Sequence, residues 1–454
     1  MSHHSRRRSY HSCRRSNRSR RRAAFLAVAA LLLLNLHAVA QRRGKTARGG
    51  APNNGRASNS DGAMSNGGVM NNEVAGARPL KLTPHRVALS GGRSFNLNLP
   101  EGYGVSVAAQ GLRRARFMAE SPEGRIFVTD MYNLTDNRKG AVYVLEEFDP
   151  AVRSFKKVTA YLTHLRNPNS VAFYTDRDGN VWLYLALTDR LLRYRYEAWS
   201  VAPTGEPEVL ATFPDYGLNY KYGGWHLTRT VLVGGNGKIY VSVGSSCNAC
   251  AETEDVRAAV LEMDADGGNR RLYARGLRNA VGMRWVKGRL FATDMGADHL
   301  GDEKPADTMY AVRDGANYGW PYCYQSGPKV YPDAKFNARE KSLACRNVPA
   351  AYAAFDAHSA PLGLEYFDEE SAAELSDSFL VALHGSTKRS LERGYRLVRV
   401  RGDGDAPAAP EDFITGFLRA GRVYGRPADV FRFGRNAFLL TDDHAGVVYY
   451  VYRR

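Results

Sequence analysis

One unit recurs six times along the chain: a short polar lead-in, an apolar strand, a turn centred on glycine, and a second apolar strand. The copies are GLRRARFMAESPEGRIFVTD from Gly111, HLRNPNSVAFYTDRDGNVWLYLAL from His164, and GWHLTRTVLVGGNGKIYVSVGS from Gly224. They continue with GLRNAVGMRWVKGRLFATDMG from Gly276, SAPLGLEYFDEESAAELSDSFLVALHG from Ser359, and GRPADVFRFGRNAFLLTDDHAG from Gly425. Each is followed by a further strand-like run: AVYVLEEF, RLLRYRYE, AAVLEMDADG, DTMYAVRDG, YRLVRVRGDG and VVYYVYRR. Regular spacing, hairpin turns (EGR, DGN, NGK, KGR) and few helical patterns predict an all-β chain, a six-bladed β-propeller of four-stranded antiparallel sheets. A β-sandwich would not repeat this unit, whereas radial stacking lets each small sheet cover both faces against its neighbours.

The blades occupy 86–454. Ahead of them, residues 41–85 carry no aromatic residue up to position 80 and are rich in Gly, Asn, Ser and Arg, the composition of a disordered linker. Residues 1–40 read as a secretory signal peptide, because nine arginines and no acid precede the apolar run 23–36 and an Ala-Val-Ala site. That run is shorter than the about 20 residues needed to span a bilayer, so no membrane span is expected after cleavage. Paired arginines ahead of it leave Sec and twin-arginine export both open. The expected location is the periplasm or the exterior.

Charge excludes less than it first implies. The chain carries +17, but removal of the nine leader arginines leaves about +8. No helix-turn-helix, zinc-finger or aromatic RNA-binding pattern is present, so no nucleic-acid partner is expected. Cys13 departs with the leader, leaving Cys247, Cys250, Cys323 and Cys345. Three pairings are possible, and the local ones, 247 with 250 and 323 with 345, are preferred over a zinc site, which would need two closely spaced pairs. CNAC reads as a structural bridge, with a redox element as the alternative.

Polar residues that no core requires gather in the Gly-rich insertions between strands. His226 in GGWHLTRT is ambiguous alone. Arg229 lies three residues on, and GLRN places Arg278 and Asn279 at the corresponding opening of the next copy, so cations and donors from separate blades would meet at one channel mouth. Arginine forks match carboxylates. The segment TDMGADHLGDEKPADTMYAVRDGANYGWPYCY concentrates Asp298, Asp302, Glu303 and Asp307 around tight turns. Such hard oxygen donors suit calcium.

This segment resembles the DxG…GDE…GGNYGWPYC signature of the soluble quinoprotein sugar dehydrogenases, in particular the sorbosone dehydrogenase-like branch. GGWHLTRT, GKIYVSVGSSCNAC, GLRNAVGM, AHSAPLGLEY, FLVALHGSTKRS and GRPADV match in the same order. The resemblance implies a dehydrogenase that uses pyrroloquinoline quinone (PQQ) and calcium to oxidise a sugar, aldehyde or polyol, passing electrons to an external quinone or cytochrome. It implies His226 as general base, Arg278 and Asn279 against the quinone, and Gly296 and Ala297 as carbonyl ligands of the cofactor's calcium. Arg426 becomes a contact of a cofactor carboxylate, with Lys388 and His384 as lesser candidates, and Asp302, Glu303 and Tyr318 a structural calcium site; Arg229 joins the cofactor contacts by its place beside His226. Two departures stand out: Ser245 where glucose-oxidising relatives carry an aspartate supporting the base, and HGSTKRS in place of HGSWNRS. The competing functions are a metal-dependent sugar lactonase, which would need metal-binding side chains from several blades, and a non-catalytic binding propeller.

Overall fold

In the computed structural model of the protein, residues 79–214, 226–402 and 409–454 are described. The expected signal segment, most of the expected linker and the GGW ahead of His226 lie outside them. Six four-stranded antiparallel sheets form the blades, and each sequence copy supplies a blade's two innermost strands. Blade one runs Ala115–Glu120, Ile126–Asp130, Gly140–Asp149, Ser154–Leu165, and blade two Ser170–Thr175, Val181–Ala186, Arg190–Tyr196, Thr204–Thr212. Blades three and four begin with Arg229–Val233 and Ala280–Val286, blades five and six with Pro361–Phe367 and Pro427–Arg432. These six first strands contact one another in cyclic order and wall the central channel.

Burial explains the sequence pattern. Second strands such as Ile126–Asp130, Ile239–Val243 and Ser378–Leu383 are buried at every position, because each lies between two neighbouring blades. Outermost strands such as Ser154–Leu165 mix exposed and half-buried positions, since one edge meets solvent. Aromatic rings bridge the blades: Phe127 of blade one meets Phe173 and Tyr196 of blade two edge to face. The Lys287-Gly288 turn joins Val286 to Arg289 with both φ values positive, at 48° and 79°. That backbone matches the strand twist, and glycine adopts it without a Cβ clash.

The ring closes on itself with a strand from the other end of the described chain. Tyr103–Gln110 is the fourth strand of blade six and pairs along Val447–Arg453. Ahead of it, Leu82–Ala88 pairs with Ser94–Pro100. Leu97 and Leu99 of this hairpin are fully buried in a cluster shared with strands of blades five and six. Both local disulfides are present, Cys247–Cys250 and Cys323–Cys345. The second ties down a hairpin, Cys323–Ser326 with Lys329–Pro332, inserted before the last strand of blade four. Among the described residues, no helix is long and apolar enough to cross a membrane.

Candidate active site

Two sets of loops meet at one end of the channel: those leading into each first strand and those following each second strand. A repeated Thr-Asp pair fixes them together. Asp130, Asp294 and Asp442 end the second strands of blades one, four and six. Asp294 accepts the backbone N–H of Arg278 (3.1 Å) and Asn279 (2.6 Å), Asp130 those of Arg113 and Arg114 (2.7 and 2.9 Å), and Asp442 that of Arg426 (2.9 Å). Each preceding threonine donates to a carbonyl of the next blade: Thr129 to Asn169 at 2.7 Å, Thr293 to Leu362 and Thr441 to Arg116, both at 2.8 Å. Burial pushes Asp294 up to about 7 and Asp442 up to about 6.

His226 immediately precedes the first strand of blade three and is held at φ 50°. Its Nδ1 lies 3.0 Å from the carbonyl of Ser245 and 2.9 Å from the Ser245 hydroxyl. That hydroxyl donates its own proton to the Cys247 carbonyl at 2.7 Å, so toward the imidazole it can only accept. Both contacts therefore place the ring proton on Nδ1 and the lone pair of the neutral ring on Nε2. Burial, then the Arg278 charge, holds His226 well below its ordinary value, so it is neutral at pH 7. A Cβ at position 244 would collide with Asn279 Oδ1 and with His226, so only glycine permits this approach.

Arg278, 4% exposed, donates from Nε to the Asn248 carbonyl and from Nη2 to the Asn248 side chain, both at 2.8 Å. Arg426 opens blade six and donates to the carbonyls of His384 (3.0 Å) and Gly385. His384 Nε2 lies 2.8 Å from the buried carboxylate of Asp443, which also pairs with Arg116 (3.1 Å) and Arg114 (3.3 Å). Despite burial, His384 and the arginines hold Asp443 well below the usual carboxylate range, while burial takes His384 down to about 4.

Around the loop after the second strand of blade four, Asp307 accepts the N–H groups of Gly296 and Ala360, both at 2.7 Å. Burial raises it to about 6. His358 lies 3.1 Å from Asp298 and 2.8 Å from the Gly301 carbonyl.

His226, Arg278, Gly296, His384 and Arg426 thus line one cavity of about 270 Å³, together with Asp298, Asp307 and His358. An adjoining space of about 200 Å³ shares His226 and His384 and adds Asn279 and Arg116. The other sequence candidates turn elsewhere. The Arg229 guanidinium is buried between blades and donates to the backbone carbonyls of His226 (2.6 Å) and Thr228 (3.0 Å), supporting the imidazole's loop from behind. Lys388 is exposed and paired with Asp302 at 2.7 Å, and Glu303 pairs with Arg393 at 2.6 Å. The Tyr318 hydroxyl accepts from the Arg313 N–H and donates to the Ala311 carbonyl. Ala297 and Tyr318 line an adjoining space of about 40 Å³ that shares Arg278, Met295 and Gly296 with the cavity. Among the described residues, the one group of three His, Cys or acidic side chains close enough for a metal is Cys247, Cys250 and Glu252, and its cysteines form a disulfide.

Sequence reasoning missed Asn248, Asp294, Asp443, Arg116 and His358. The threefold recurrence of Thr-Asp at the ends of second strands was a usable signal for Asp294. The others carry no local pattern.

A family model described as TrAA12-like matches residues 97–419. No curated protein matches the sequence. Several solved structures share the fold. The holo PQQ domain of pyranose dehydrogenase from Coprinopsis cinerea has a TM-score of 0.64 at 19% identity, covering 79% of this chain and 97% of that one. The calcium structure of a Trichoderma reesei carbohydrate-active enzyme of family AA12 has a TM-score of 0.64 at 17% identity, covering 83% and 100%. The PQQ-bound aldose sugar dehydrogenase of Streptomyces coelicolor has a TM-score of 0.53 at 20% identity, covering 78% and 99%.

Proposed function

The chain belongs to the TrAA12-like family, and on that premise we propose that it is an exported quinoprotein dehydrogenase that oxidises a sugar or a related aldehyde or polyol with PQQ and calcium. One observation carries the reading: an imidazole from blade three, a buried arginine leading into blade four and a half-buried one leading into blade six line a single cavity. The Coprinopsis and Streptomyces neighbours hold PQQ, and the Trichoderma neighbour holds calcium, by their descriptions.

The residues fit the groups. PQQ is a planar tricarboxylate, and Arg278 and Arg426 offer planar cations matched to carboxylates. Asn279 Oδ1 is buried with no hydrogen-bond partner among the described residues, an acceptor that a bound ligand would satisfy. The Gly296 backbone with Asp298 and Asp307 provides hard oxygens, the donor set that calcium takes. Bound PQQ would supply the two-electron acceptor that no side chain can provide.

The chain's own residues do the rest. Oxidation of a carbinol requires its hydroxyl proton to leave as the carbon loses hydride, and neutral His226 accepts that proton at Nε2. Arg278 stays charged at any working pH and stabilises negative charge that develops beside it. Leu134 and Met295 give the cavity an apolar rim that limits water. Asp443 keeps His384 in one orientation, and burial keeps that ring neutral.

The test adds PQQ and calcium to the purified apoprotein and follows absorbance and dye reduction across sugars, aldehydes and lactones. Quinone uptake with sugar-dependent dye reduction supports the reading; no uptake overturns it, and lactone hydrolysis without quinone selects a lactonase. His226→Ala should retain quinone binding and lose turnover by roughly 10²- to 10⁴-fold.

A further inference from the structure

The loop from Ser245 to Cys250 reaches both the imidazole and the arginine of the site. We propose that this turn, closed by the Cys247–Cys250 disulfide, is a positioning element in which Ser245 sets the tautomer of His226 and Asn248 sets the plane of Arg278. The inference rests on the dehydrogenase reading for its kinetic consequences, but its geometry stands on the apoprotein.

Ser245 is fully buried and linked in three directions. Its N–H donates to the Arg278 carbonyl at 2.8 Å, its carbonyl faces His226 Nδ1 at 3.0 Å, and its hydroxyl bridges Nδ1 and the Cys247 carbonyl. The Cys247 carbonyl takes the serine proton, so the Ser245 hydroxyl joins the Ser245 carbonyl as a second acceptor toward Nδ1, and together they hold the imidazole proton there. One residue later, Asn248 takes both Nε and Nη2 of Arg278, a two-point contact that fixes a planar guanidinium. The same side-chain oxygen accepts the N–H of Asp298 at 3.0 Å, tying in the loop that carries Gly296. A bridge across two residues prevents the turn from opening, so base, cation and acidic loop keep one spacing. Ser245 and Asn248 are positioning residues and touch no reacting atom.

The test uses nitrogen-15 histidine NMR on the apoprotein together with kinetics and PQQ calorimetry on the loaded enzyme. Wild type should show His226 as a single Nδ1-protonated ring. Ser245→Ala should show a second tautomer, with kcat down about 10- to 100-fold and the sugar KM little changed. Asn248→Ala should weaken PQQ binding about 10-fold, and Asn248→Asp, which keeps the acceptor oxygen, should restore most of it. Cys247→Ser/Cys250→Ser should show both defects at once. If Ser245→Ala keeps one tautomer and a kcat within two-fold of wild type, or Asn248→Ala keeps its quinone affinity, the positioning role is overturned. Should wild type take up no PQQ, the dehydrogenase reading fails while the tautomer measurement still decides the role of Ser245.

Discussion

His226 and His384 share a cavity, and burial lowers both, but their partners differ. Beside His226 stand the Arg278 and Arg229 charges, which oppose protonation further; beside His384 stands Asp443, which favours it. For His226 the consequence is catalytic. Only the neutral ring accepts a proton, and it protonates below pH 6.5, so the acid limb of the kcat/KM profile should lie below pH 6.5. A limb centred above 6.5 would contradict the assignment. For His384 the consequence is stability. The unfolded ring takes its proton near 6.5 and the folded ring only near about 4, so between those values the unfolded chain binds more protons. Stability should be fully present above 6.5 and decline as pH falls toward 4, by an amount on the order of 3 kcal/mol. His384→Gln should flatten this decline in urea unfolding compared at pH 4.5 and 7.5.

Among the elements, the Thr-Asp ends of the second strands do the joining. Thr441 accepts from the Asp429 N–H at 2.8 Å and donates to the Arg116 carbonyl of blade one, so it links two blades through one buried hydroxyl. Thr441→Val should cost about 1–3 kcal/mol, read by chemical denaturation, because two backbone groups lose their partner. Thr163→Val, at an exposed site, should change stability by less than about 0.5 kcal/mol. Gly244→Ala belongs to the same scale: its Cβ forces His226 and Asn279 apart, costing about 1–3 kcal/mol and most of kcat. These pairs were visible in the sequence as VTD, ATD and LTD. Their purpose was not, because the N–H groups that the aspartates hold lie 15 to 17 residues upstream and meet them only after the hairpin forms.

At the scale of the molecule, the ring depends on a closing strand contributed from outside the six repeats. Tyr103–Gln110 covers the edge of Val447–Arg453, and Tyr103 is fully buried there. A chain beginning at Gly111 would expose a long unpaired apolar edge. It should lose cooperative unfolding and associate on sedimentation, whereas one beginning at Pro79 should match the full-length protein in urea midpoint.

Strand alternation and glycine turns are local properties, so the sequence alone determined the blade number and the first three strands of every blade; of three possible cysteine pairings it favoured the local one, which the structure has. Side-chain direction at the channel mouth is not local. Arg229 and Arg278 both sit beside the first residues of an inner strand, yet the former is clamped behind the imidazole between blades and the latter reaches the cavity. Asn248, Asp443 and Arg116 likewise acquire meaning only from neighbours supplied by other blades. The tertiary structure decided these, because closing six sheets into a ring fixes which strand-end side chains are trapped between blades and which are left facing the channel.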